Sequence, residues 1–184
     1  VKFQPLLALG LTILAASTQT FGGTTLDRVE QKKELVGVLM ESYPPFSFLN
    51  DQNQLDGFDV DVAKAVAEKL GVKLRLETPS WDVIAAGRWS GRYDICICSM
   101  TPSKARAEVF NFPVEYYASP AVIVVNAKDD RIHSAKDLSG KKVGLTSASS
   151  YESYLNKNLV IEGAEDTQLQ YPFEDVQIAP YDTD

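Results

Sequence analysis

Ser99, Thr101 and Arg106 are the residues whose types and spacing best suit chemistry. A guanidinium presents a planar fork that grips both oxygens of a carboxylate, and each hydroxyl can donate one further bond. The three lie in Ser99-Met100-Thr101-Pro102-Ser103-Lys104-Ala105-Arg106. The elements that must position them flank this stretch. Tyr93-Asp94-Ile95-Cys96-Ile97-Cys98 is an apolar run rich in β-formers and predicts a buried strand over 94–98. Ala107-Glu108-Val109-Phe110 can continue a short helix, and the Ser103 hydroxyl can cap its start by accepting a free backbone N–H. In an open α/β sheet, ligands bind at the carboxyl ends of the strands, which is where this Arg and these hydroxyls converge. The alternative for the same residues is an ordinary turn followed by a solvated surface Arg.

The rest of the chain builds a frame for that strand end. Leu35–Met40 predicts a first strand, broken by Tyr43-Pro44-Pro45-Phe46 because Pro fixes φ and lacks a donor. Asp59 can cap a helix with Val60, Ala63, Val66, Ala67 and Leu70 on one face, stopped by Gly71. Val72–Leu76 alternates as a second strand, and Ser80 can open a helix running towards Gly91. This β-α-β-α-β order predicts a mainly parallel sheet. From Ala118 the character shifts. Val122–Val125 is a continuous β-branched run, Ser134 to Gly140 carries a helix start and stop, and Lys142–Leu145 reads as a strand. Ser147–Ser150 opens a helix through Leu155, and Val176–Ala179 reads as one more strand. A second α/β unit therefore begins near Ala118, with Tyr117–Pro120 as the crossing between units.

Composition narrows the function classes. The 184 residues are 45% hydrophobic and 23% charged, ordinary for a globular chain. A net charge of −7 with no basic patch argues against nucleic acid as a partner. Lys2 followed by apolar Leu6–Ala16 is too short to span a bilayer and reads as a secretory signal peptide over 1–22, with no Cys nearby to carry a lipid. Cys96 and Cys98 are the two cysteines. Positions i and i+2 of a strand lie roughly 7 Å apart, which strains a bridge, so two reduced, buried thiols are expected. One His and two Cys make no metal-ligand set.

The ordered set Tyr-Pro-Pro-Phe (43–46), Gly-Phe-Asp-Val-Asp (57–61), Trp-Asp (81–82), Gly-Arg-Tyr-Asp (91–94), Ser-Met-Thr…Arg (99–106) and Tyr116-Tyr117 resembles the extracellular solute-binding proteins of polar amino-acid ABC transporters. The likeness runs from about Glu34 to the end. It implies an α/β, two-lobed periplasmic-binding-protein-like (type II) fold with mainly parallel sheets. Residues 1–22 would be the signal peptide, 23–117 lobe 1, and 118–184 the N-terminal part of an incomplete lobe 2. It implies a periplasmic monomer that closes on an amino acid like a Venus flytrap and delivers it to a membrane ABC permease. No catalytic residue, cofactor, metal or nucleic acid is expected. Tyr43 and Trp81 correspond to the aromatics that hold the ligand side chain, facing each other across it. The bland alternative is that both rings are core. Phe46 and Phe58 are expected in the core. Ser99, Met100, Thr101 and Arg106 match the carboxylate grip. Ser149 and Ser150 fall where lobe 2 offers a helix N-terminus to the same carboxylate, or simply cap that helix.

Three departures bear on the ligand. Met40 stands where relatives that bind cationic amino acids often carry an Asp, Ala148 replaces the usual Gly, and Pro120 stands where a hinge Gly is common. The resemblance also implies another helix, a strand ending in an Asp for the ligand amino group, and a return into lobe 1, beyond Tyr181-Asp182. The 184 residues alone are accordingly expected to bind weakly or not at all, with poor protection beyond about residue 120. Two other readings compete. An enzyme on this fold, like the cyclohexadienyl dehydratases, needs a general acid/base, for which Glu41 and Asp82 are the nearest candidates. A receptor input domain needs a membrane segment downstream.

Overall fold

The computed structural model describes residues 23–182. The expected signal peptide therefore lies outside the described residues. Three parallel strands form the first sheet, in the order β5-β1-β6: β1 is Glu34–Val38, β5 is Lys73–Glu77 and β6 is Ile95–Cys96. The register places Gly37 opposite both Leu76 and Ile95. Helix α2, Phe58–Leu70, buries Val60, Ala63 and Ala67, and Gly71 stops it in the left-handed conformation with its N–H on the Ala67 and Glu68 carbonyls. The spacing of Val60, Ala63 and Ala67 and the terminal Gly thus act as read from the sequence, while Leu70, expected on the same face, is 38% exposed.

Helix α1, Thr24–Lys32, is an addition that the sequence reading did not contain. Its Val29 packs with Leu35 and Ala67, and its Arg28 pairs with Asp94. Asp94 also accepts the Val36 N–H at 2.9 Å, so one carboxylate joins α1, β1 and the start of β6. A small antiparallel sheet follows β1: β2 (Ser42–Tyr43), β3 (Ser47–Leu49) and β4 (Leu55–Asp56). Helix α3 covers only Trp81–Ala85, ending well before Gly91. Gly87 explains the early stop, because it takes φ +64 with Val109 and Phe110 packed against it.

Strand β6 is two residues long, shorter than the expected 94–98. After Cys96 the chain makes one more bond to the sheet, from the Ile97 N–H to the Val38 carbonyl, and then bends away. That bend corrects the cysteine reading. Cys98 has left the strand, its Cα lies 5.5 Å from that of Cys96, and the two form a disulfide. The 7 Å spacing of a straight strand does not apply.

The second α/β unit is smaller. Strand β7 (Lys142–Thr146) pairs in parallel with β8 (Gln177–Tyr181), and α5 (Ser150–Leu155) packs on both. Ser134 and Asp137 form a reciprocal capping box on a 3-10 turn, Ala135–Leu138. Val122–Val125 is not a strand. It has no ladder partner among the described residues, and its side chains are between 39% and 88% exposed. β-Propensity reflects packing against neighbouring strands, so a β-branched run without a neighbour does not make one. Residues 111–133 contain no helix or strand.

Candidate functional site

Arg106 lies on α4, Lys104–Ala107, a single turn whose N-cap is Ser103. The Ser103 hydroxyl accepts the Arg106 N–H at 3.3 Å, as the sequence predicts. The guanidinium is half-buried. One nitrogen donates to the Thr101 carbonyl and the other to the Ala148 carbonyl, each at 3.0 Å. The first bond braces the group against its own loop, and the second reaches the segment before α5. Its carbon lies 5.3 Å from the Trp81 ring centroid, a cation–π distance. Burial pushes the Arg106 pKa down from its usual value, but an arginine stays charged regardless.

Around this group lies a cleft of about 110 Å³. Tyr43, Trp81, Ser99, Met100, Thr101, Arg106, Ser149 and Ser150 all line it. Met40, Ser42, Cys98, Thr146 and Tyr151 complete the lining. Its floor is the edge of the core: Met40, Trp81 and Met100 pack against the cluster of Val36, Val38, Ile84, Tyr93 and Cys98. The far wall is the start of α5. There the Ser149 hydroxyl accepts the Glu152 N–H at 3.3 Å as N-cap, while Ser150 Oγ lies 3.1 Å from Thr101 Oγ1. Ser149 thus spends its oxygen on the cap, and Ser150 is the hydroxyl that meets the opposite wall.

Tyr43 is 37% exposed and stacks on Phe46 at 5.1 Å. Phe46, Phe58, Tyr116 and Tyr117 continue this into an aromatic cluster. Phe58 is 43% exposed, so the core expected of it is a surface cluster instead. Burial and the nearby Tyr151, Asp59 and Tyr117 raise the Tyr43 pKa, keeping the phenol protonated.

Two site residues differ from their sequence reading. The Ser99 hydroxyl, read as a donor to a ligand, lies 3.1 Å and 3.2 Å from the two Asp59 oxygens. Its single proton is therefore spent inside the protein. Asp59 itself is not a cap: the N-cap of α2 is Gly57, and Asp59 is fully buried in the first turn. Sequence reasoning missed this inward role; the signal was an acidic residue amid the apolar positions Val60 and Ala63. Glu41 and Asp82 are exposed, bonded to Thr78 and Ser80 respectively, and neither lines the cleft.

A family model for bacterial extracellular solute-binding proteins, family 3, matches residues 35–176. A Haemophilus influenzae protein named "Probable amino-acid ABC transporter-binding protein" is 37% identical over 83% of this chain and 58% of its own length. The L-cystine-binding protein TcyJ of Escherichia coli is 36% identical over 73% of this chain and 51% of its own. The chain thus spans between half and three fifths of these relatives. Among solved structures, an ancestral amino-acid-binding protein, a precursor of cyclohexadienyl dehydratase, superimposes with a TM-score of 0.70 at 28% identity. That match covers 86% of this chain and 65% of the other.

Proposed function

The chain belongs to family 3 of the bacterial extracellular solute-binding proteins, and from that premise we propose that it binds a polar amino acid, or a similar small carboxylate, for delivery to a membrane ABC permease. The observation that carries this is the convergence of the Arg106 guanidinium, the Thr101, Ser149 and Ser150 side chains and the Tyr43 and Trp81 rings on one cleft. Arg106 grips the ligand carboxylate. Two of its five N–H donors are committed to carbonyls, which hold the fork in place and leave three for a ligand. Thr101 and Ser150, whose hydroxyls bond each other from opposite walls, leave one hydroxyl proton between them for the ligand. Met100 offers the loop backbone beside Ser99, and Ser149 presents the α5 start. Tyr43 and Trp81 flank the ligand side chain. On this reading residues 1–22 are an export signal, the protein works in the periplasm, and lobe 1 (23–117) and the lobe 2 residues (118–184) close on the ligand.

Calorimetry of the full-length protein against a panel of L-amino acids tests this, with Arg106→Ala as control. Binding of at least one polar amino acid is expected, weakened in the variant by about 2–5 kcal/mol, the cost of losing one partner of a desolvated charge pair. Arg106→Ala binding as tightly as the parent would remove the carboxylate assignment.

The fold of a solved neighbour, a precursor of cyclohexadienyl dehydratase, favours the dehydratase reading. It requires an acid/base beside the ligand, and no acidic side chain lines the cleft among the described residues. Turnover of prephenate or arogenate by the purified protein would reinstate it.

A further inference from the structure

Asp59 is fully buried, and among the described residues it has no ion-pair partner. A buried carboxylate without a cation is costly unless hydrogen bonds compensate. Its oxygens accept from the Ser99 hydroxyl, at 3.1 Å and 3.2 Å, and from the Tyr116 phenol, at 3.1 Å. The Tyr116 oxygen in turn accepts the Ser99 backbone N–H at 2.7 Å. These bonds close a ring: amide to phenol, phenol to carboxylate, hydroxyl to carboxylate. Its polarity follows from Asp59. The phenol oxygen takes the amide proton, so its own proton faces the carboxylate, and the Ser99 hydroxyl does the same.

The ring encloses a residue that is not in a relaxed conformation. Ser99 has φ +48, in the left-handed region that a residue with a side chain enters at a cost. That backbone turn sends Met100 and Thr101 into the cleft lining directly after the chain leaves β6. The third member, Tyr116, stands within the irregular stretch that leads towards β7.

We propose that Asp59 is a positioning residue, which through its ring with Tyr116 holds Ser99 left-handed and so sets how Met100 and Thr101 meet the ligand. The ring also ties this loop to the segment that crosses between the two units. This role rests on the amino-acid-binding reading of the cleft.

The test compares the full-length parent with Tyr116→Phe and Asp59→Leu, which keeps the branched shape but has no acceptor. Calorimetry against the amino-acid panel reads affinity, thermal melting reads stability, and amide exchange by NMR reads the Ser99 N–H without any ligand. In Tyr116→Phe, affinity is expected to fall about tenfold. The Ser99 amide should exchange at least as much faster while the amides of β1 keep their rates, and the melting midpoint should fall because the buried Asp59 loses one of its donors. Asp59→Leu should give the same local loss; if it fails to fold, Tyr116→Phe decides alone. Parent-like affinity in Tyr116→Phe overturns the proposal. A parent that binds no amino acid overturns the binding reading instead, and Ser99 exchange then judges the ring. Unchanged Ser99 exchange in Tyr116→Phe overturns the proposal in either case.

Discussion

At the scale of single residues, charge at the cleft is expected to discriminate between the ligands proposed for it. Arg106 is the one formally charged side chain in the described lining, and Met40 contributes a thioether. A cationic ligand side chain would lose its hydration there without gaining a counter-charge. Neutral polar amino acids are therefore expected to bind more tightly than arginine or lysine. Met40→Asp should raise arginine affinity by about tenfold, the scale of one charge-assisted contact. Calorimetry with arginine and glutamine on both proteins checks this; arginine binding best to the parent would count against it. The cysteines offer a second check. Because Cys96 and Cys98 are bridged, unfolding without reductant should leave no thiol for iodoacetamide, and two after reduction. Arg106 was legible at this scale because its neighbours announce a strand end and a cap. Asp59 was not, because its partners Ser99 and Tyr116 lie 40 and 57 residues away.

At the scale of elements, stops and caps carry the predictions. Gly87 ends the α3 region at φ +64, and an added Cβ would lie 2.7 Å from a Val109 methyl. Gly87→Ala should cost about 1–3 kcal/mol in denaturant unfolding, through backbone strain more than lost contacts. In the capping box, the Asp137 carboxylate accepts the His133 and Ser134 N–H groups and the Ser134 hydroxyl, which hold its pKa below the ordinary 3.8. A depressed folded-state pKa means that the bonds stabilise above the unfolded value and are lost as pH falls through the folded one. Asp137→Asn should therefore flatten the melting-midpoint slope below about pH 4, the ordinary carboxylate range. An unchanged slope would show that the box adds nothing to acid stability. The caps at Ser103 and Ser149 form where the sequence places them, since a cap needs only residues two or three positions apart.

At the scale of the whole molecule, the two units differ in how much they bury. Val29, Leu35, Val38, Leu39, Val60, Ala63 and Ile84 are all at most 4% exposed, and they lie in the first unit. Beyond residue 133 the buried apolar side chains are Leu138 and Phe173 among the described residues. Local opening free energy follows buried contact, so the two units should differ in protection. Amide exchange is expected to be slow in β1, β5 and α2, intermediate in β7 and β8, and fast over 111–133. Uniform protection across all of these would mean that packing unseen in the burial pattern holds the second unit.

The sequence by itself determined the β-α-β-α-β order from β1 to β6, the Gly71 stop, the Ser103 cap, the serine pair at the start of α5, and the stretch that carries Arg106. Each of these depends on residues within a turn or two, where periodicity and capping act. Only the tertiary structure decided that β6 stops after two residues, so that Cys98 bends back to Cys96. It likewise decided that Val122–Val125 forms no strand and that Asp59 turns inward to hold Ser99 and Tyr116. A ladder, a bridge across a bend and a buried carboxylate all need partners that the local chain does not contain.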